Sequence, residues 1–167
     1  MSIIVINKGK VLKGGDIQIE FERIDDTGKT KNCSEKSTIP VHADLTESLA
    51  ALRVHLAVIG DFVKQKAVKD ITNVPEELVT DFTVTGFSVK GGVEMEGVIL
   101  SGNKKIPRGA LNFNTPLVRN SDDAESGYIF NDALILAVEK CQKEFMLYLG
   151  GKYAPDPQME LFTEEEK

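Results

Sequence analysis

Residues Asp16 to Arg23 alternate without a break, with Ile17, Ile19 and Phe21 on one side and Gln18, Glu20 and Glu22 on the other. A period of two over this length makes a strand with one buried and one wet face. The strand runs into Asp25-Asp26-Thr27-Gly28, where Gly28 can take the positive φ that a tight turn requires. The return segment, about Lys29 to Ile39, is polar and stops at Pro40. A half-wet strand joined to its neighbour by a tight turn belongs to an antiparallel hairpin, which sets the expected fold class.

The remaining elements follow from periodicity and breakers. Ile3 to Ile6 reads as a short strand, and Lys8 to Gly15, with three lysines and three glycines, as a turn or irregular edge. A first helix is expected from Asp44, capped by Asp44 with Glu47 in capping-box position, and closing near Gly60. Leu45, Leu49, Leu52, Leu56, Ile59 and Val63 form one apolar stripe along it. Lys64 to Lys69 is basic and exposed, and Val74-Pro75-Glu76-Glu77 reads as a linker or a short helical turn opened by proline. Asp81 to Lys90 is a strand whose apolar face changes phase at Gly86, the mark of a bulge. Gly91-Gly92 turns it back, and Val93 to Leu100 returns. Gly102 to Arg108 reads as a loop and Ala110 to Phe113 as a short strand. A second helix spans about Tyr128 to Leu149 before Gly150-Gly151. The predicted order is βββ-α-ββ(β)-α, an α+β domain of antiparallel hairpins over residues 1–151 with a flexible acidic tail over 152–167. Oligonucleotide-binding barrels share that order of elements.

Composition narrows the classes. A chain of 167 residues, 41% hydrophobic and 28% charged, is expected to be one globular domain rather than a fibre, a disordered chain or a disulfide scaffold. The longest apolar run of the interior, Ala133 to Val138, is far too short to span a bilayer, and Met1 to Asn7 has no signal-peptide pattern. The expected setting is therefore cytoplasmic. Cys33 and Cys141 are far apart and make no zinc-type pair, so two reduced thiols and no metal site are expected. Net charge is −6, of which −4 falls in Pro155 to Lys167. The nearly neutral body neither requires nor forbids a nucleic-acid partner.

No catalytic constellation emerges. Gly28-Lys29-Thr30 resembles the end of a phosphate-binding loop, but position 23 is Arg23 where the loop needs glycine, and a strand follows instead of a helix. His42 and His55 have no partner at ligand spacing, and Ser34, Ser37 and Ser88 lack a nucleophile's context. The expectation is a non-enzymatic protein without a cofactor. The best candidate nucleic-acid contact is Lys104, Lys105, Arg108, Phe113 and Arg119, cations that could track phosphates beside an aromatic ring that could stack a base.

The tail is more specific. Pro155-Asp156-Pro157 forms an extended spacer, followed by Gln158-Met159-Glu160-Leu161-Phe162. This pentapeptide resembles the Gln-Leu-(Ser/Asp)-Leu-Phe motif with which bacterial replication and repair proteins bind the DNA sliding clamp. Gln158, Leu161 and Phe162 match it outright, Met159 replaces a leucine of similar volume, and Glu160 keeps the acidic character. The resemblance implies that Gln158 hydrogen-bonds at the clamp's pocket rim while Leu161 and Phe162 fill the pocket. The hairpin leading to Cys33-Ser34-Glu35, the segment Leu111-Asn112-Phe113-Asn114-Thr115-Pro116 and the clamp-like motif together resemble small proteins of phage and prophage replication or recombination gene clusters. That likeness implies a bacterial cytoplasm, a DNA transaction and no catalytic residues. The expected role is an accessory factor recruited to the host's DNA polymerase sliding clamp. The alternatives are a single-stranded DNA binder and a homo-oligomeric scaffold associating through the second helix.

Overall fold

The computed structural model describes residues 3–91, 95–119 and 128–155. Among these residues seven strands, all paired antiparallel, form one sheet: β1 (Ile3–Val11), β2 (Ile17–Ile24), β3 (Thr30–Ser37), β4 (Phe82–Lys90), β5 (Gly97–Ile106), β6 (Gly109–Asn114) and β7 (Val118–Arg119). Their order is β3-β2-β1-β4-β5-β6, with β7 paired to β5 beyond the end of β6. Helices α1 (Ala43–Ala50), α2 (Arg53–Ile59) and α3 (Asn131–Leu149) pack against the sheet, α1 and α2 on β4 and α3 on β1. The α+β class and the hairpin order are as the sequence predicts. The sheet is open and barrel-like, and among the described residues no strand pair closes it.

The alternation of β2 does what its pattern demands: Ile17, Ile19 and Phe21 are buried in the core. They join Leu45, Leu49, Leu52 and Leu56 of the helical stripe and Leu134, Val138, Cys141 and Phe145 of α3. Gly28 takes φ 81°, and the pairing of β4 with β5 shifts register between Val84 and Gly86, where the bulge was expected. Gly60 ends α2, and Gly150 ends α3.

Four expectations need correction. The segment read as an irregular edge from Lys8 is strand as far as Val11, and the turn follows at Leu12–Gly15, where Leu12 O accepts from Gly15 N at 3.0 Å. Gly9 sits where α3 crosses β1: a Cβ there would lie 2.7 Å from the Phe145 ring, so a larger residue would force the ring or the helix to shift. The register also slips between Ile6 and Lys8, and the carbonyl of Ile6 accepts from Gln142 Nε2 at 2.8 Å.

The first helix is two. At Leu52 the backbone N–H turns to Leu49 O at 3.0 Å, an i→i+3 bond, and the Ser48 carbonyl accepts the Cys141 thiol at 3.1 Å. Arg53 Nε likewise donates to Ala50 O at 3.2 Å. The stripe of leucines stays continuous across the break, which is why periodicity could not reveal it.

The cap of α1 is His42, whose Nδ1 accepts from the Asp44 backbone N–H at 3.0 Å; Asp44 itself lies in the first turn. Finally, Gly102 to Ile106 is strand rather than loop, and the turn is confined to Pro107 and Arg108. Among the described residues, no helix is long and apolar enough to cross a membrane. Both cysteines are free, and burial pushes the Cys141 thiol up to about 11, so it stays protonated and unreactive.

Candidate functional site

The C-terminal segment does not leave the body at Gly151. Gly151 takes φ 107°, the chain doubles back, and Lys152 N donates to Leu147 O at 2.9 Å. Tyr153 forms an antiparallel bridge with Val41, and Ala154 N donates to Pro40 O at 3.0 Å. The Tyr153 ring meets Tyr148 edge-on with centroids 5.0 Å apart. Lys152 Nζ donates to Asp44 at 2.7 Å and to Glu144 at 3.1 Å. The Lys152 bond holds the Asp44 carboxyl below its ordinary value, and the two carboxylates raise the ammonium. The body therefore extends through Ala154, past the expected boundary at residue 151. The clamp-like motif, Gln158, Met159, Glu160, Leu161 and Phe162, lies outside the described residues.

The five candidate nucleic-acid contacts do not form one patch. Lys104 and Phe113 lie on the helix-facing side of the β5–β6 hairpin, because Lys104 pairs with Phe82 and Phe113 with Gly102, which backs onto Leu56. Lys104 Nζ sits 5.0 Å above the Phe62 ring and 5.9 Å from that of Phe82. Phe62 contacts both Phe82 and Phe113, with centroids 5.4 and 5.2 Å away. Lys105 points to the opposite face of the strand, and Arg108 projects from the hairpin turn. Arg119 pairs with Gly97 at the other end of β5, roughly 23 Å from Lys104 at the usual rise of a strand. Thr115, part of the segment quoted for the phage-like resemblance, has a structural role: its Oγ1 accepts Leu100 N at 2.9 Å and its own N–H donates to Leu100 O at 2.8 Å, carrying the ladder from β6 towards β7.

A groove of about 1030 Å³ opens where β1 and β4 part. β1 pairs with β4 only from Lys8 to Lys10, so the first part of β4 has its strand partner, β5, on one side. Val11, Leu49, Val84 and Phe113 contribute apolar surface to the groove; Lys10, Lys13 and Arg53 contribute charge, and among the described residues its lining contains no Asp or Glu. Arg53 also reaches Glu76 at 3.0 Å on the exposed side. Sequence reasoning missed these cations. Lys10 and Lys13 stood in a segment read as a turn, and Arg53 in a helix read as unbroken.

His55 is buried, and its Nδ1 shares a 2.6 Å hydrogen bond with Tyr128 Oη. Burial lowers the imidazole to about 4 and raises the phenol well above its ordinary value. At neutral pH both are uncharged, which suits a packed, hydrogen-bonded pair. An imidazole depressed below its unfolded value near 6.5 contributes stability that is fully present above that pH and lost as pH falls towards 4. The expected loss is about 3 kcal/mol between pH 7 and pH 4. Denaturant melts of the parent and of His55→Gln check it: the variant, less stable at pH 7, is expected to lose less stability on acidification than the parent. Equal losses in the two would assign the acid sensitivity to other groups. Among the described residues, no group of three or more His, Cys, Asp or Glu could hold a metal ion. No family model, no curated protein and no solved structure matches this chain.

Proposed function

We propose that this chain is a non-enzymatic accessory factor of phage or prophage DNA replication or recombination, acting in the bacterial cytoplasm and recruited to the host sliding clamp by residues 158–162. The observation that carries the reading is the sequence Gln158-Met159-Glu160-Leu161-Phe162 itself. Two adjacent large apolar side chains in an acidic, proline-bearing segment are costly to leave in water and suit a pocket. The position of the motif supports the reading. Only Pro155, Asp156 and Pro157 separate it from Ala154, which is hydrogen-bonded to the body. A clamp holding the motif would therefore hold the domain close by, on a short spacer whose prolines limit the entropy lost on docking. Calorimetry of the full chain against a purified bacterial clamp is expected to give a micromolar Kd, about −8 kcal/mol. Absence of heat at protein concentrations a hundredfold higher would overturn the reading.

The single-stranded DNA reading draws on one observation, the Lys104 ammonium held over the exposed Phe62 ring beside Phe113. Its expected signature is oligonucleotide binding that weakens steeply with salt and is lost in Phe62→Ala. The apolar residues exposed on α3, Leu136, Met146 and Leu147, are interrupted by Glu139, Lys140 and Lys143, which gives a scaffold interface on that helix little continuous surface.

A further inference from the structure

We propose that the acidic C-terminal segment docks reversibly in the groove of its own chain, with Leu161 and Phe162 on the apolar floor between β1, β4 and α1. Place, reach and charge carry the inference. Val41, bridged to Tyr153, also lines the groove, so the last described residues lie at the groove's edge. Phe162 follows Ala154 by a stretch that extends to about 26 Å. The wall formed by α1 up to Arg53 is about 15 Å long at the helical rise, so the two apolar side chains reach any part of it. The groove presents Lys10, Lys13 and Arg53 with no carboxylate among the described residues of its lining, within a chain of net charge −6. The segment brings Asp156, Glu160, Glu164, Glu165 and Glu166. Arg53 shares its charge with Glu76, which leaves Lys10 and Lys13 as the main attraction. Tethering makes a weak contact sufficient, because a short linker holds its end at millimolar effective concentration.

This contact does not rest on the clamp reading. Where that reading holds, docking hides the two anchors the clamp requires. A segment docked nine-tenths of the time weakens apparent clamp affinity about tenfold, and the clamp in turn empties the groove.

The test compares backbone amide shifts of the full chain with those of its Leu161→Ala/Phe162→Ala variant, without clamp. Differences are expected at Lys13, Thr46, Leu49 and Gly102, independent of protein concentration and shrinking as salt rises. Lys13→Glu, a charge reversal at an exposed turn, is expected to move the Thr46, Leu49 and Gly102 signals in the same direction. Shifts confined to the neighbours of residues 161 and 162 would overturn the proposal. So would shifts that grow with concentration, which assign the segment to a second copy's groove. A single-stranded oligonucleotide that perturbs the groove equally in both chains would also overturn it, by making the groove a nucleic-acid site. Groove shifts without any clamp binding would remove the clamp reading alone.

Discussion

Alanine at Leu161 and Phe162 together is expected to abolish binding to the clamp. Each side chain contributes about 1.5–3 kcal/mol when fully buried, so their joint removal costs several kcal/mol of a total near −8. That moves a micromolar complex to millimolar or weaker, beyond calorimetric detection. Gln158→Ala should cost less, about 1 kcal/mol for a neutral hydrogen bond, or roughly tenfold in Kd. Replacing Glu164, Glu165 and Glu166 by glutamine removes charges that salt screens, so it should not weaken the clamp contact directly. On the clamp reading both side chains are held by the partner and not by the body, so the double-alanine chain should melt within a few degrees of the parent. Two results would count against this account. One is a double variant that binds the clamp within threefold of the parent. The other is a stability loss on the scale of a core truncation, which would mean that Leu161 and Phe162 pack inside the protein and the motif match is coincidence.

What could be read from the sequence shares one property: its cause is local. Ile17, Ile19 and Phe21 are buried because a strand alternates. Gly28 turns because it lacks a Cβ, and Gly86 marks a bulge because the apolar phase changes on either side of it. The misreadings have distant causes. The helix breaks at Leu52 because Cys141, on another helix, takes the Ser48 carbonyl. Lys8 to Val11 is strand because β2 and β4 flank it, and its glycine is there for Phe145. Asp44, the better cap by propensity, is drawn to Lys152 while His42 caps the helix. The candidate nucleic-acid cluster fails as a unit because residues adjacent in a strand face opposite ways, which separates Lys104 from Lys105. The groove was not legible at all. Its cations come from β1, the following turn and the start of α2, and only the sheet topology assembles them. The clamp-like motif rests on five consecutive residues and their resemblance alone, and it lies outside the described residues.

Phe145→Ala is expected to be among the most destabilising single changes in the domain, and its effect should be coupled to Gly9. Phe145 is fully buried, its ring standing edge-on to Phe87 with centroids 5.4 Å apart and lying against the backbone of Gly9. Truncation removes that apolar contact and leaves a cavity at the crossing of α3 over β1, at a cost of about 3–5 kcal/mol. For a chain of this size, that lowers the melting temperature by roughly 10 °C or more. Gly9→Ala attacks the same contact from the other side, since its Cβ would fall 2.7 Å from the ring. Either the ring or the helix must then shift, a form of overpacking that costs about 1–3 kcal/mol. With Phe145 already alanine the obstruction is gone, and the new methyl fills part of the cavity. Gly9→Ala should therefore be close to neutral in the Phe145→Ala background, giving a coupling of about 1–3 kcal/mol in a double-mutant cycle. Denaturant midpoints of the four chains measure it. Strictly additive losses would show that Gly9 is not there for Phe145, and the reason for a glycine within β1 would have to be sought elsewhere.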